Sequence, residues 1–338
     1  MIPRATIPPD QRGEPWFEDG NIILLTEDID SDTTVAFKVH RGVLSRHSEV
    51  FQSMFDIPSP AATAVEVADG CQVVRMHDRP TELSALIRAL YDGPTFQRRG
   101  IEDFYHLAGI LRLSTKYFIA HLRRQAIRHL LETWPHALQG HDQFIERAMK
   151  APLVNDLTYP YVHPLHVLNL ARETHVSVIV PSALYFLSLY TLPDLLRGDH
   201  PKLLLPHPSR PSAQLSARDL TDYTLMFQHR IAVVLDFIRQ SCSARTPCET
   251  CVGAKGACQK AFLRLGSRLS RSWVVRTGPL HYMVQAIDEL ADDPQVCAQC
   301  RRAFKRDVVA LREKIWFELP GVVGLPSWDE LEKMDMAG

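Results

Sequence analysis

The stretch Phe37 to Phe55, FKVHRGVLSRHSEVFQSMF, constrains the fold of this chain more than any other, because its apolar period changes in the middle. Phe37 and Val39 alternate as in a strand, whereas Val43, Leu44, Val50, Phe51, Met54 and Phe55 recur at helical spacing. The switch falls at Arg41 and Gly42, so a strand must turn directly into a helix there. Ser48 followed by Glu49 can cap a helix anew, which predicts two short pieces, Val43 to Ser45 and Glu49 to Phe55. Upstream, Ile22 to Leu25 reads as a strand, and downstream so does the β-branched run CQVVRM from Cys71 to Met76. Thr81 to Tyr91 then places Leu83, Leu86, Ile87 and Leu90 on one helical face, closed by Asp92-Gly93-Pro94. Amphipathic helices are predicted over Phe104 to Phe118 and His121 to Trp134.

Asp19, Phe37, Val39 and His40, then Val43, Leu44 and Ser45, Ser48, Phe51, Met54 and Phe55, spread over several elements in this order, resemble the BTB/POZ family. The expected fold is an α+β BTB/POZ domain at residues 16–135, followed by an all-α C-terminal region with a structural zinc site. The resemblance implies a protein-protein interaction module. It would act by self-association, by docking to a cullin-type ubiquitin ligase as a substrate adaptor through helices around Thr81 to Phe104, or by recruiting transcriptional regulators. Residues 1–15 contain four prolines and no helical period, so a flexible N-terminus without a swapped helix is expected. The insertion TEDIDSDTTVA reads as an acidic, solvated hairpin loop and the place for local disorder. His40 reads as a structural residue rather than a switch, with Asp19 as its partner in a buried polar contact.

The chain has 338 residues, 46% hydrophobic and 23% charged, enough for two or three packed units and unlike a disordered composition. A formal net charge of -1 gives no global attraction to nucleic acid or anionic membranes. No basic-then-apolar leader opens the sequence, which predicts a cytoplasmic or nuclear protein whose seven cysteines are thiols or metal ligands. Thr174 to Pro193 lacks any Asp, Glu, Lys or Arg, but Pro181, His175 and its serines mark it as buried core instead of a membrane span. Helices are predicted on either side of Pro181, at His166 to Glu173 and at Ser182 to Tyr190 with Ser182 as the cap. A proline-rich loop ends at Pro211, and Leu215 to Arg239 follows as an amphipathic helix begun by Ser216 and Asp219. These features define a helical domain at 136–240 that resembles, more loosely, the helical region of the large fungal group of BTB proteins.

The remaining unit, 241–338, carries the chemistry. Cys248, Cys251, Cys297 and Cys300 form two CxxC pairs, the spacing with which thiolates grip opposite edges of a tetrahedral zinc. Cys242 or Cys258 can substitute in the first pair, His281 is a further candidate, and plain thiols or a disulfide are the alternative without metal. Four thiolates leave no open position for water, so a zinc here is structural. Between the pairs, Lys260, Arg264, Arg268 and Arg271 share one helical face in a stretch from Val252 to Ile287 free of Asp and Glu. That face either contacts nucleic-acid phosphates, the basis of an alternative transcriptional role, or is solvated and paired with acidic groups such as Asp28, Asp30 and Asp32. Phosphate loops, dinucleotide fingerprints and nucleophile elbows are absent, and the fifteen histidines share no ligand spacing, which predicts a non-enzymatic protein without a small-molecule substrate. Trp316, Phe317 and Trp328 are expected core anchors of the C-terminal unit.

Overall fold

A computed structural model describes residues 6–28, 33–56 and 66–337. The N-terminal half is built on a four-stranded sheet in the order β2-β1-β4-β3, with β1 at Ile22–Asp28, β2 at Thr33–Val39, β3 at Val67–Ala68 and β4 at Cys71–Met76. The first two strands pair antiparallel, Leu24 opposite Phe37, while β1 and β4 run parallel with Leu24 opposite Val74. A parallel neighbour needs a crossover. Helices α1 (Arg41–His47) and α2 (Glu49–Asp56) begin it, breaking at Ser48 as the sequence predicts. Both strands of the hairpin run further into TEDIDSDTTVA than expected, since Thr26, Glu27, Thr34 and Val35 are paired. The turn itself, with Asp30 and Asp32, lies outside the described residues.

Helices α3 (Pro80–Asp92), α4 (Ile101–Lys116) and α5 (Ala120–Leu131) complete this half. Gly93 ends α3 at φ 82°, a conformation that glycine adopts without steric cost. Ile22, Leu24, Phe37, Val39, Leu44, Phe51 and Phe55 pack with Leu83, Leu86, Ile110, Tyr117 and Leu122 into one core. Residues 6–15, part of the segment expected to be flexible, lie along the sheet. The Gly13 amide donates to Ala36 O at 2.8 Å and the Phe17 amide to Lys38 O at 2.9 Å.

The C-terminal region is all helical: α6 (Leu138–Lys150), α7 (Pro164–Glu173), α8 (Val180–Leu187), α9 (Leu192–Arg197), α10 (Pro201–Leu204), α11 (Ala217–Asp236), α12 (Ala257–Ser272), α13 (Pro279–Ala291), α14 (Ala298–Glu318) and α15 (Trp328–Ala337). A π-helical turn, Phe237–Ser243, extends α11. Ser216 precedes α11 as expected and caps it, its hydroxyl accepting from the amide of Asp219, which lies inside the first turn and not before the helix, at 3.1 Å. Ser182 does not cap α8, which starts at Val180. Pro181 fits inside the first helical turn, where no intrahelical N–H is needed, so the proline opens the helix instead of breaking it. Thr174 to Pro193 is largely buried, and no helix among the described residues is long and apolar enough to cross a membrane.

Position 135 falls inside a continuous core. Phe104, Leu107, Leu111, Ile127, Leu130 and Trp134 pack in the same cluster as Phe144, Leu168, Leu184, Phe186 and Trp316. Helices α4 and α5 thus face the sheet-bearing core on one side and the helical region on the other. Polar clasps reinforce the seam: Arg112 binds Glu82 at 2.8 Å, Glu173 at 2.9 Å and Ser209 O at 2.8 Å. Arg123 donates to Asp335 O at 2.7 Å, tying α15 back to α5. Trp316 and Trp328 are buried and stacked with centroids 5.4 Å apart. Phe317 is not a core anchor: it is 69% exposed, because one residue along a helix from inward-facing Trp316 is a rotation of about 100°.

Candidate functional site

The residues of the sequence motif divide into anchors and surface. Phe37, Val39, Leu44, Phe51 and Phe55 are buried, whereas Val43, Val50 and Met54 on α1 and α2 are half-buried, the latter two packed against the margin of the same core. Ser48 holds the helix pair to the end of α4. Its hydroxyl donates to Tyr117 O at 2.6 Å and accepts from the Phe51 amide at 3.1 Å, while the Phe51 and Tyr117 rings stack 4.4 Å apart. The next residue, Phe118, is 74% exposed at φ 50°. A bulky side chain in the left-handed region is uncommon and carries a local conformational cost. Sequence periodicity gave no sign of this position, since its aromatic character reads equally as core.

His40 sits at the junction of strand and helix. Its backbone N–H donates to Tyr91 Oη at 2.9 Å, and Tyr91 Oη also lies 2.9 Å from His40 Nδ1. His40 Nε2 lies 3.3 Å from Asp19 Oδ2. Asp19 is the expected partner, but the contact is not buried: its carboxylate is 86% exposed. Burial raises the Tyr91 pKa, partly offset by the His40 amide, which keeps the phenol protonated.

The second site is the thiol cluster. Cys248 and Cys251 lie in the loop before α12, Cys258 in the first turn of α12, Cys297 at the N-cap of α14 and Cys300 in its first turn. The Sγ atoms of Cys251, Cys258, Cys297 and Cys300 all lie within 4.8 Å of one another. Cys251 Sγ is 3.7 Å from both Cys258 and Cys297, and Cys248 Sγ is 3.5 Å from Cys300. Zinc–sulfur bonds of about 2.3 Å make a tetrahedron with edges of about 3.8 Å, so these separations suit a single ion. Gly253 leaves the room: a Cβ there would stand 2.7 Å from Cys258 Sγ. The Cys297 amide donates to Cys258 Sγ at 3.3 Å and the Cys300 amide to Cys297 Sγ at 3.4 Å. The latter bond holds the Cys297 thiol down at about 6, while burial pushes Cys258 and Cys300 up. The clustered cysteines could bind a metal. Cys242 and His281 are outside the close group, and burial in the π-helical turn raises Cys242 to about 12.

The basic residues Lys260, Arg264, Arg268 and Arg271 do share the exposed face of α12. Arg264 pairs with Asp293 at 3.3 Å and Arg268 with Glu289 at 2.6 Å, so the described partners come from α13 and the turn after it rather than from the acidic hairpin.

The family model for the BTB/POZ domain matches residues 21–133, the span of the sheet and of helices α1 to α5. No curated protein and no solved structure matches the chain. The chain therefore carries an N-terminal BTB/POZ domain, a protein-protein interaction module, followed by a helical region.

Proposed function

We propose that this chain is a non-enzymatic interaction protein whose BTB/POZ domain recognises protein through α1 and α2, with a second copy of the chain as the first partner. The observation that carries this reading is the BTB/POZ match over residues 21–133 together with Val43, Val50 and Met54, apolar side chains that α1 and α2 leave half-buried at the margin of the core anchored by Phe51 and Phe55. Covering the exposed parts of these side chains with a copy of the chain removes apolar surface from water, about 25 cal/mol for each Å². Docking to a cullin through Thr81 to Phe104 has less support. Ile101 and Phe104 are buried against the helical region, and the exposed positions of α3, Thr81, Arg88 and Asp92, are polar. A transcriptional role through α12 is less supported again, because Arg264 and Arg268 already have carboxylate partners.

In the same reading the thiol cluster holds a structural zinc, which staples the loop at Cys248 to Cys258 onto the start of α14. The residues fit the ion in type, spacing and the amide donors around the sulfurs.

Sedimentation equilibrium of the full chain tests the self-association. A dimer that becomes monomeric in Val50→Asp/Met54→Asp, with unchanged circular dichroism, supports it. A monomeric wild-type chain overturns it and directs attention to one-to-one docking, for which retention on an immobilised cullin is the assay. Retention on a phosphate matrix that falls with salt and is lost in Arg264→Glu/Arg268→Glu/Arg271→Glu would favour the nucleic-acid reading instead.

A further inference from the structure

Five cysteines crowd a site that needs four, and the distances separate them. The two CxxC pairs place Cys248 among the ligands when only spacing is considered. In the fold, the set with every sulfur near every other is Cys251, Cys258, Cys297 and Cys300. Cys248 approaches Cys300 at 3.5 Å but lies outside that mutual set, on the wall of an open cleft formed with Arg245, Gln299, Arg302 and Arg306. Cys258 has the opposite surroundings. It is 1% exposed, on the first turn of α12, with its sulfur 3.7 Å from Cys251 and receiving the Cys297 amide.

We infer that the metal is held by Cys251, Cys258, Cys297 and Cys300, and that Cys248 is a fifth cysteine that hydrogen-bonds the Cys300 sulfur from outside the coordination set. This rests on the proposal that the cluster binds zinc and assigns the ligands within it. Four thiolates around a divalent ion leave a net charge of −2, which donors to the sulfurs must offset. The Cys297 amide serves Cys258 and the Cys300 amide serves Cys297. The Cys248 side chain, placed on Cys300, extends the same pattern. The assignment changes what the ion joins. With Cys258 as a ligand, α12 is tied directly to α14 at their N-terminal turns, and the loop between Cys251 and Cys258 closes over the ion around Gly253.

Native mass spectrometry of the full chain, with zinc counted in five single Cys→Ser variants, tests the assignment. Cys251→Ser, Cys258→Ser, Cys297→Ser and Cys300→Ser should lose the ion. Cys248→Ser should keep one zinc per chain, with affinity against a competing chelator weakened by about 10- to 100-fold, as for other outer partners of metal ligands. Because ligand variants can misfold, alkylation of the wild-type protein by iodoacetamide gives a second readout. Cys248 should label in the native protein, and the other four only after a chelator is added. Loss of zinc in Cys248→Ser with retention in Cys258→Ser, or native labelling of Cys258 with Cys248 protected, would overturn this assignment and leave the zinc reading standing. A wild-type chain without metal, even after purification with zinc supplied, would overturn both.

Discussion

Replacing Trp134 by alanine should weaken both halves of the molecule together. The indole is 1% exposed at the end of the BTB/POZ span, edge-on to Phe186 at 5.7 Å and 6.1 Å from Phe144, both from the helical region. Removing a large buried aromatic costs about 3–5 kcal/mol in transfer energy and residual cavity. That is a substantial share of a net stability of about 5–15 kcal/mol. Trp134 shares its cluster with Phe104, Leu107 and Leu130 on one side and Leu168, Leu184 and Trp316 on the other, so the cavity opens against both. Urea denaturation should show one transition in the wild type and one, shifted by that amount, in Trp134→Ala. Native-state hydrogen exchange then assigns the loss by region: peptides from α4 and α13 should lose protection by the same free energy. If α4 keeps wild-type protection while α13 loosens, the two halves unfold separately and the argument from a shared core fails.

Acid should destabilise the fold before most carboxylates titrate. His163 and His166 are fully buried, and burial lowers them from 6.5 to about 2 and about 4. Between 6.5 and those values the unfolded chain binds more protons, so the stability they contribute is complete above pH 6.5 and is lost as the pH falls. At pH 5 each should cost on the order of 2 kcal/mol, and a urea midpoint unchanged between pH 8 and 5 would contradict this. Asp78 is buried beneath Lys116 Nζ at 2.5 Å and the Tyr117 hydroxyl. Asp78→Asn should lower stability by about 1–3 kcal/mol in a urea titration, and an unchanged midpoint would remove the ion pair from the reasoning. In Gly13→Ala the new Cβ would lie 2.5 Å from Phe37 Cε1, so residues 6–17 should detach. Limited proteolysis should then cut near Arg12 while the core persists, and resistance equal to the wild type would show that the ring makes room.

Much of the N-terminal architecture was legible because period and capping agree along Phe37 to Phe55: the break at Ser48 and the anchors Phe51 and Phe55 follow from local rules. Cysteine spacing located the thiol cluster and left the place of Cys248 or Cys258 in it open. Cys258 lies in no CxxC pair and enters because α12 begins where it does, a fact of tertiary packing. The continuity of the core past Trp134 was hidden for a related reason. The outward stripes of α4 and α5 carry apolar residues that look like the interior of their own domain until the helical region is seen to cover them. Asp19 was found as the partner of His40, but its exposure depends on how the chain enters β1, which no residue pattern encodes.

The segment from Gly13 to Phe17 that lies along β2 bears on how partners can approach. Its amides occupy Ala36 O and Lys38 O, acceptors that an added strand would otherwise use, and the opposite edge of the sheet is a strand of only two residues. A foreign peptide thus meets little free backbone with which to extend the sheet. The same closure protects the sheet from edge-to-edge aggregation.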